Sequence, residues 1–297
     1  MQPEERHRPR FSVVIPTYNN TPVLMQCLKS LCRQTVDRES FEVIIINDGD
    51  DDITDNLKTL TNQLSIAHYN QEHKGPAAAR NMGINQARGD IILFLDDDSL
   101  PTDNWLEAAM MAWERFNDFD GIGGYTISEP TDSMVSRVNA DIFNWYLEKN
   151  NSGEQCHFLS THNAGYKKRS LCSAGRFDVE FKGPSGEDRD LNAKIRKNGG
   201  RLRLDRHILV YHDRDLRLGS FLRKYYNYGK AAQVIHDKHP ELKRSPGNAY
   251  LHLFMNVLKQ YSRIINKLLA ILLIALSQVA TLFGYLTYLF AKFRKKN

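Results

Sequence analysis

Cysteine is scarce: there are four among 297 residues, Cys27, Cys32, Cys156 and Cys172, with no CxxC pair and no histidine at zinc-site spacing. A disulfide-stapled miniprotein and a structural zinc module are both excluded, and a chain of this length buries its own core without either. The four are expected as buried, reduced thiols in a protein facing the cytosol. The first ten residues contain no apolar run, so no secretory signal is read there. Acidic groups are few toward the C-terminus: residues 214–297 hold three Asp/Glu against fifteen Lys/Arg, whereas residues 1–213 hold 32 against 25. With 41% hydrophobic and 25% charged residues, the composition fits neither a fibrous repeat nor a disordered acidic tail. What is present is a globular chain with an acidic part suited to a cation and a basic part suited to an anionic surface.

Strand and helix patterns alternate through the first hundred residues. Phe11–Ile15 is a β-branched run ended by Pro16, and Thr21-Pro22 reads as an N-cap and first helical residue before helically spaced Val23, Leu24, Cys27, Leu28 and Leu31. Phe41–Ile46 reads as a strand buried on both faces, followed by a polar helix over 54–63 and a strand over 65–69. Gly75-Pro76 opens an alanine-rich helix that stops at Arg88-Gly89, and the strand Ile91–Leu95 runs straight into Asp96-Asp97-Asp98. This alternation predicts an α/β fold with a parallel sheet and right-handed crossovers. Ligands in such sheets sit beyond the carboxyl ends of the strands, which places Thr17, Asn19, Asp48 and Asp96–Asp98 at one edge. A helix over 104–116, a strand over 121–127, a short helix within 186–200 and strands over 201–204 and 208–211 follow, while 130–160 shows no clear period.

Three constellations can carry chemistry. Adjacent Asp96, Asp97 and Asp98 repel one another at a strand end, and a divalent cation with oxygen preference removes that cost; the bland alternative is a solvated loop capping the next helix. Glu187 and Asp188 open a helix, where carboxylates are commonly caps, but the approach through Gly183-Pro184-Ser185-Gly186 suits a loop that closes over a substrate and presents a general base. His212 ends a strand; it is either a satisfied surface residue or a ligand to the same cation.

Taken in order, these pieces resemble the family-2 glycosyltransferases. The likeness is carried by Val13-Val-Ile-Pro-Thr-Tyr-Asn-Asn20, Val43–Gly49, Gly75–Gly83, Leu93–Asp98 and Gly186–Leu191, with Asn163–Phe177 similar to an acceptor-side segment and Val210-Tyr-His212 to a late histidine. The resemblance implies a GT-A fold: a Rossmann-like, mixed but mainly parallel sheet flanked by helices, over residues 11–213, after a tail over 1–10. It implies an inverting, metal-dependent enzyme that uses a nucleotide-diphospho-sugar donor and a glycan or lipid-linked hydroxyl acceptor, as in cell-surface polysaccharide or glycolipid synthesis. Pro16, Thr17, Asn19, Asp48, Arg80, Asp96 and Asp97 would bind the nucleotide-sugar. Asp98 and His212, with Asp96, would hold Mg²⁺ or Mn²⁺, and Asp188, or Glu187 in its place, would be the base. The chain departs from the family pattern at Asn47, where a second carboxylate is usual, and at Arg176, where a second glycine is usual. It has no Gln-x-x-Arg-Trp segment, which favours single addition over polymerisation.

The remainder is read as a basic, aromatic helical extension over 214–262 and a membrane segment over 263–297. Leu268–Ala291 is an uncharged run of 24 residues flanked by Lys267 and Lys292, long enough to span a bilayer, with a buried core helix as the alternative. Basic residues at both ends leave span, hairpin and interfacial helix open. The expected location is the membrane with the catalytic domain cytoplasmic, and no nucleic-acid partner is expected despite interleaved aromatic and basic residues over 221–230. Two other functions are weighed: a nucleotidyltransferase, which would carry a glycine-rich phosphate loop after the first strand, and a nucleotide-sugar-binding membrane scaffold without catalysis.

Overall fold

The computed structural model describes residues 8–129, 131–151, 156–181, 185–242 and 249–296. Parallel pairing joins β1 (Phe11–Thr17) to β2 (Phe41–Asn47) and to β4 (Ile91–Phe94), and β2 to β3 (Ile66–Asn70). β7 (Ala164–Lys167) runs antiparallel to β4 and to β6 (Gly121–Ile127), and β5 (Leu100–Pro101) antiparallel to β8 (Leu202–Tyr211), giving the order β3-β2-β1-β4-β7-β6-β8-β5. The strand does not end at Pro16 as the sequence suggests. Leu95 N–H donates to the Val14 carbonyl, so Pro16, two residues on, turns its missing N–H toward the side where β4 has already stopped.

Two compact units are present. The first draws on Met1–Tyr125 and Gly153–Tyr211, the second on Thr126–Ser152 and His212–Asn297. In the first, strand periodicity sends alternate residues to opposite faces. Val13, Ile15, Val43, Ile45 and Leu93 bury under α1 (Thr21–Cys32) and α4 (Trp105–Arg115); Val14, Ile44, Ile46, Ile92 and Phe94 bury under α3 (Pro76–Gln86) and α7 (Glu187–Lys197). Gly83 is what lets α3 sit so low, since a Cβ there would meet Val14 Cγ1 at 2.3 Å. α2 (Thr54–Lys58) is shorter than the expected 54–63 helix, and α6 (Lys168–Ser173) follows β7. The two short strands expected over 201–211 are one strand, continuous through exposed Arg206 and His207.

The second unit is helical: α5 (Met134–Asn150), α8 (Leu218–Lys238), α9 (Ala249–Lys259) and α10 (Ile264–Lys296). Val138 and Ile142 of α5 share a core with Phe221, Tyr225, Leu253, Val257, Leu273 and Ile274. Asn139 donates to Asp213 at 2.9 Å, and Tyr261 to Asp141 at 2.7 Å. Residues 126–152 therefore group with the C-terminal helices, not with the 11–213 domain expected from sequence. The thiols differ from expectation too: Cys27 and Cys156 are buried, but Cys172 is exposed.

Candidate active site

The carboxyl ends of β1, β2 and β4 bring the polar residues together in the first unit. Asp48 N–H donates to the Thr17 carbonyl at 2.8 Å, and Thr17 Oγ1 donates to Asp97 Oδ2 at 2.7 Å. Asn19 takes a left-handed backbone, φ 48°, and its Oδ1 accepts from Asp50 N–H at 2.9 Å. Gly49 is required opposite it, because a Cβ would fall 2.2 Å from that Oδ1.

Asp48 is buried, and its carboxylate is fully engaged within the chain. Oδ1 accepts from Gln71 Nε2 at 2.6 Å and Lys74 N–H at 2.8 Å; Oδ2 faces His73 Nδ1 at 2.9 Å and accepts from Gly75 N–H at 2.9 Å. Four partners use the acceptor capacity of a carboxylate, so Asp48 holds the 71–75 segment in this structure. Neighbouring Asn47 explains the departure at that position: its Nδ2 donates to the Asp51 carbonyl at 2.7 Å and to Asn70 Oδ1 at 3.1 Å, which a carboxylate cannot do.

Arg80 is also internal, 4% exposed, and donates from Nη2 to Asp96 Oδ1 at 2.6 Å and from Nη1 to Glu187 Oε1 at 2.9 Å. Its two carboxylate partners outweigh the effect of burial and hold its pKa above the usual value. Glu187 Oε2 is buried with no hydrogen-bond partner among the described residues. Burial pushes Glu187 up to about 7 against the pull of Arg80, with the charge of Asp188 adding to the rise. Burial raises Asp188 as well; its Oδ1 accepts from Arg189 N–H at 2.7 Å. Asp97 is pushed up to about 7 by burial and by its neighbours Asp98 and Asp96. Gly183 and Pro184 of the expected closing loop lie outside the described residues.

In the second unit His212 directly follows β8. Its Nδ1 lies 3.2 Å from Asp213 Oδ2, and Asn139 and Lys224 also donate to Asp213. Sequence reasoning passed over Tyr18, whose ring stacks 4.3 Å from that of His73, and over Gln71 and His73 themselves. The available signal was their place directly after β3, since polar residues after a parallel strand face the ligand edge. At Arg176 the departure from the expected glycine falls on a left-handed residue, φ 62°, after Gly175 at φ 78°.

Comparisons with known proteins agree with this architecture. The mannosyltransferase PcManGT from Pyrobaculum calidifontis, solved with GDP-Man and Mn²⁺, superposes with a TM-score of 0.66 at 19% identity over 96% of this chain and 88% of its own. S. aureus TarS 1–349 in complex with UDP-GlcNAc gives 0.55 at 18% identity over 97% and 92%. The Haloferax volcanii glycosyltransferase AglE is 38% identical over 105 residues, 33% of this chain and 34% of AglE. An uncharacterised glycosyltransferase of Rickettsia bellii is 34% identical over 135 residues, 45% of this chain and 19% of that protein. The chain thus spans only a fifth to a third of these two curated relatives. The glycosyl transferase family 2 model matches residues 12–173, more than half of the sequence and all of the β1–β4 edge, and the chain belongs to that family.

Proposed function

We propose that the protein transfers a sugar from a nucleotide-diphospho-sugar to a hydroxyl on a glycan or lipid-linked acceptor, inverting the anomeric centre with the help of Mg²⁺ or Mn²⁺. The observation that carries this reading is the convergence, in one unit, of three adjacent carboxylates after β4 with the Glu187-Asp188 turn of α7, linked through Arg80. The three aspartates fit a hard cation: they offer carboxylate oxygens, in a patch where burial and mutual repulsion push Asp97 up to about 7. When bound, the cation would offset charge on the departing diphosphate. Asp98 is the proposed direct ligand, with Asp96 beside it. His212 is proposed as the second, because it follows Tyr211, the register partner of Leu100 just beyond the aspartates, and because a carboxylate on Nδ1 orients a ligating imidazole.

Pro16, Asn19 and the Thr17 backbone would wall the nucleotide pocket. Asp48 would shape it by holding the 71–75 segment, and Arg80 would position the acidic groups without touching donor. Asp188 is assigned as the base that takes the acceptor proton, because Glu187 is committed to Arg80. The two structural neighbours were solved with GDP-Man and UDP-GlcNAc, which supports a donor of that general class. α10 is apolar enough to cross a membrane, and with its basic surroundings it supports attachment to an anionic bilayer, with the catalytic unit on the cytosolic side where nucleotide-sugars are made. Calorimetry of GDP- and UDP-sugars with and without Mn²⁺ tests the site: donor binding that strengthens with Mn²⁺ and loses that gain in Asp98→Asn is expected. Equal binding in all four conditions would remove Asp98 from its role.

A further inference from the structure

The membrane reading above leaves open how α10 meets the bilayer, and the helix that packs against it answers this. α8 and α10 lie side by side along most of their length. Phe221 shares a buried cluster with Ala270, Leu273 and Ile274; a Cβ on Gly229 would fall 2.0 Å from the Thr281 carbonyl oxygen, and one on Gly284 1.9 Å from that of Tyr226; Asp237 accepts from Tyr288 at 3.3 Å and from Lys292 at 2.6 Å. A bilayer crossed by α10 would therefore also enclose α8, whose Arg223, Lys230, Asp237 and Lys238 are exposed. Ionised groups at such depth are expensive. At 33 residues and about 1.5 Å per residue, α10 is about 50 Å long, well over the ~30 Å hydrocarbon core.

The exposed side of α10 has the opposite character. Leu268, Leu272, Val279, Phe283, Leu286 and Phe290 follow one another at intervals of three, four and seven, so they form one stripe, and each is between 37% and 69% exposed. Ala270, Leu273, Ile274 and Ser277 on the other side are buried. Arg263 and Lys267 stand before the stripe, Lys292 and Arg294 after it, within a segment that holds fifteen basic and three acidic residues. We propose that α10 lies in the plane of an anionic bilayer with this stripe sunk among the acyl chains, both of its ends and the charged side of α8 remaining on one side of the membrane.

The test uses the full chain with Cys32 and Cys172 replaced by serine, bound to preformed phosphatidylglycerol/phosphatidylcholine vesicles. Cysteines introduced one at a time, Ser262→Cys or Arg294→Cys, beside the buried Cys27 and Cys156, are treated with a membrane-impermeant maleimide before and after detergent lysis. Both are expected to label equally, within twofold, in intact vesicles; tenfold protection of either end until lysis means a span and overturns the proposal. Leu272→Glu with Phe283→Glu should lower the vesicle-bound fraction at least tenfold with an unchanged circular dichroism spectrum, and binding that persists undiminished would overturn it. Wild-type protein that ignores vesicles, or forms a dimer whose interface holds these two residues, overturns the membrane reading as well. None of these readouts requires glycosyl transfer, so they stand apart from the assignment of the reaction.

Discussion

Asp96 and Glu187 share one guanidinium: Arg80 donates to the first at 2.6 Å and to the second at 2.9 Å. The end of β4 and the first turn of α7 are thereby tied through a buried cation. Removing one partner of such a group leaves the other's charge uncompensated, which typically costs about 3–5 kcal/mol. Arg80→Ala should therefore lower the unfolding free energy, read by chemical denaturation, by an amount in that range. Adding Glu187→Gln to Arg80→Ala should recover part of the loss, since it removes the buried carboxylate left stranded. A double variant no more stable than Arg80→Ala would show that the pair is not coupled.

Glu187 gives the fold a pH dependence of definite sign. Its folded pKa of about 7 lies above the ordinary glutamate value of 4.5, so the folded state binds the proton more tightly than the unfolded chain. That contribution is fully present below about pH 4.5 and is lost as pH rises through about 7; Asp188, also raised, acts in the same direction. Melting temperature of the metal-free protein, scanned between these limits, should fall with increasing pH more steeply in the wild type than in Glu187→Gln. Identical slopes would contradict the assignment.

Asp188→Asn separates base from binding. Loss of a general base typically costs 10²–10⁴-fold in turnover, while donor affinity, set at the β1–β4 edge, should change less than about threefold. Turnover and calorimetric Kd measured side by side check this. A variant that keeps its turnover would return the role to Glu187.

Arg176→Gly should stabilise the protein. A non-glycine residue in the left-handed region costs about 1–2 kcal/mol, and the extra chain freedom of glycine takes back about 0.5–1. The net gain, about 0.5–1 kcal/mol, is within reach of chemical denaturation. The Arg176 carbonyl keeps its bond from Lys194 Nζ, 2.8 Å, whatever side chain stands there.

Much of this was legible before any coordinates. Phe41–Asn47 is buried at every position, and an unbroken apolar run between turn residues states as much. The parallel alternation likewise placed Thr17, Asn19, Asp48 and Asp96–Asp98 at one edge. What escaped is local hydrogen bonding that no periodicity carries. α5 is anchored by polar Asn139 and Asn144 as much as by Val138, so its apolar spacing is diluted. β8 continues through exposed Arg206 and His207 because a ladder runs on backbone groups. Asp48 and Arg80 read as ligand contacts from their motifs, and the hydrogen bonds that bury both within the chain are carried by no motif.

A divalent ion that serves sugar transfer at the triple aspartate is read out by nucleoside diphosphate release from a panel of GDP- and UDP-sugars with Mn²⁺ or Mg²⁺ and membrane lipids. Release with at least one donor, abolished by chelation and lowered at least 10²-fold in Asp98→Asn, is the predicted result. Absence of release with every donor, or release that Asp98→Asn leaves intact, would contradict it.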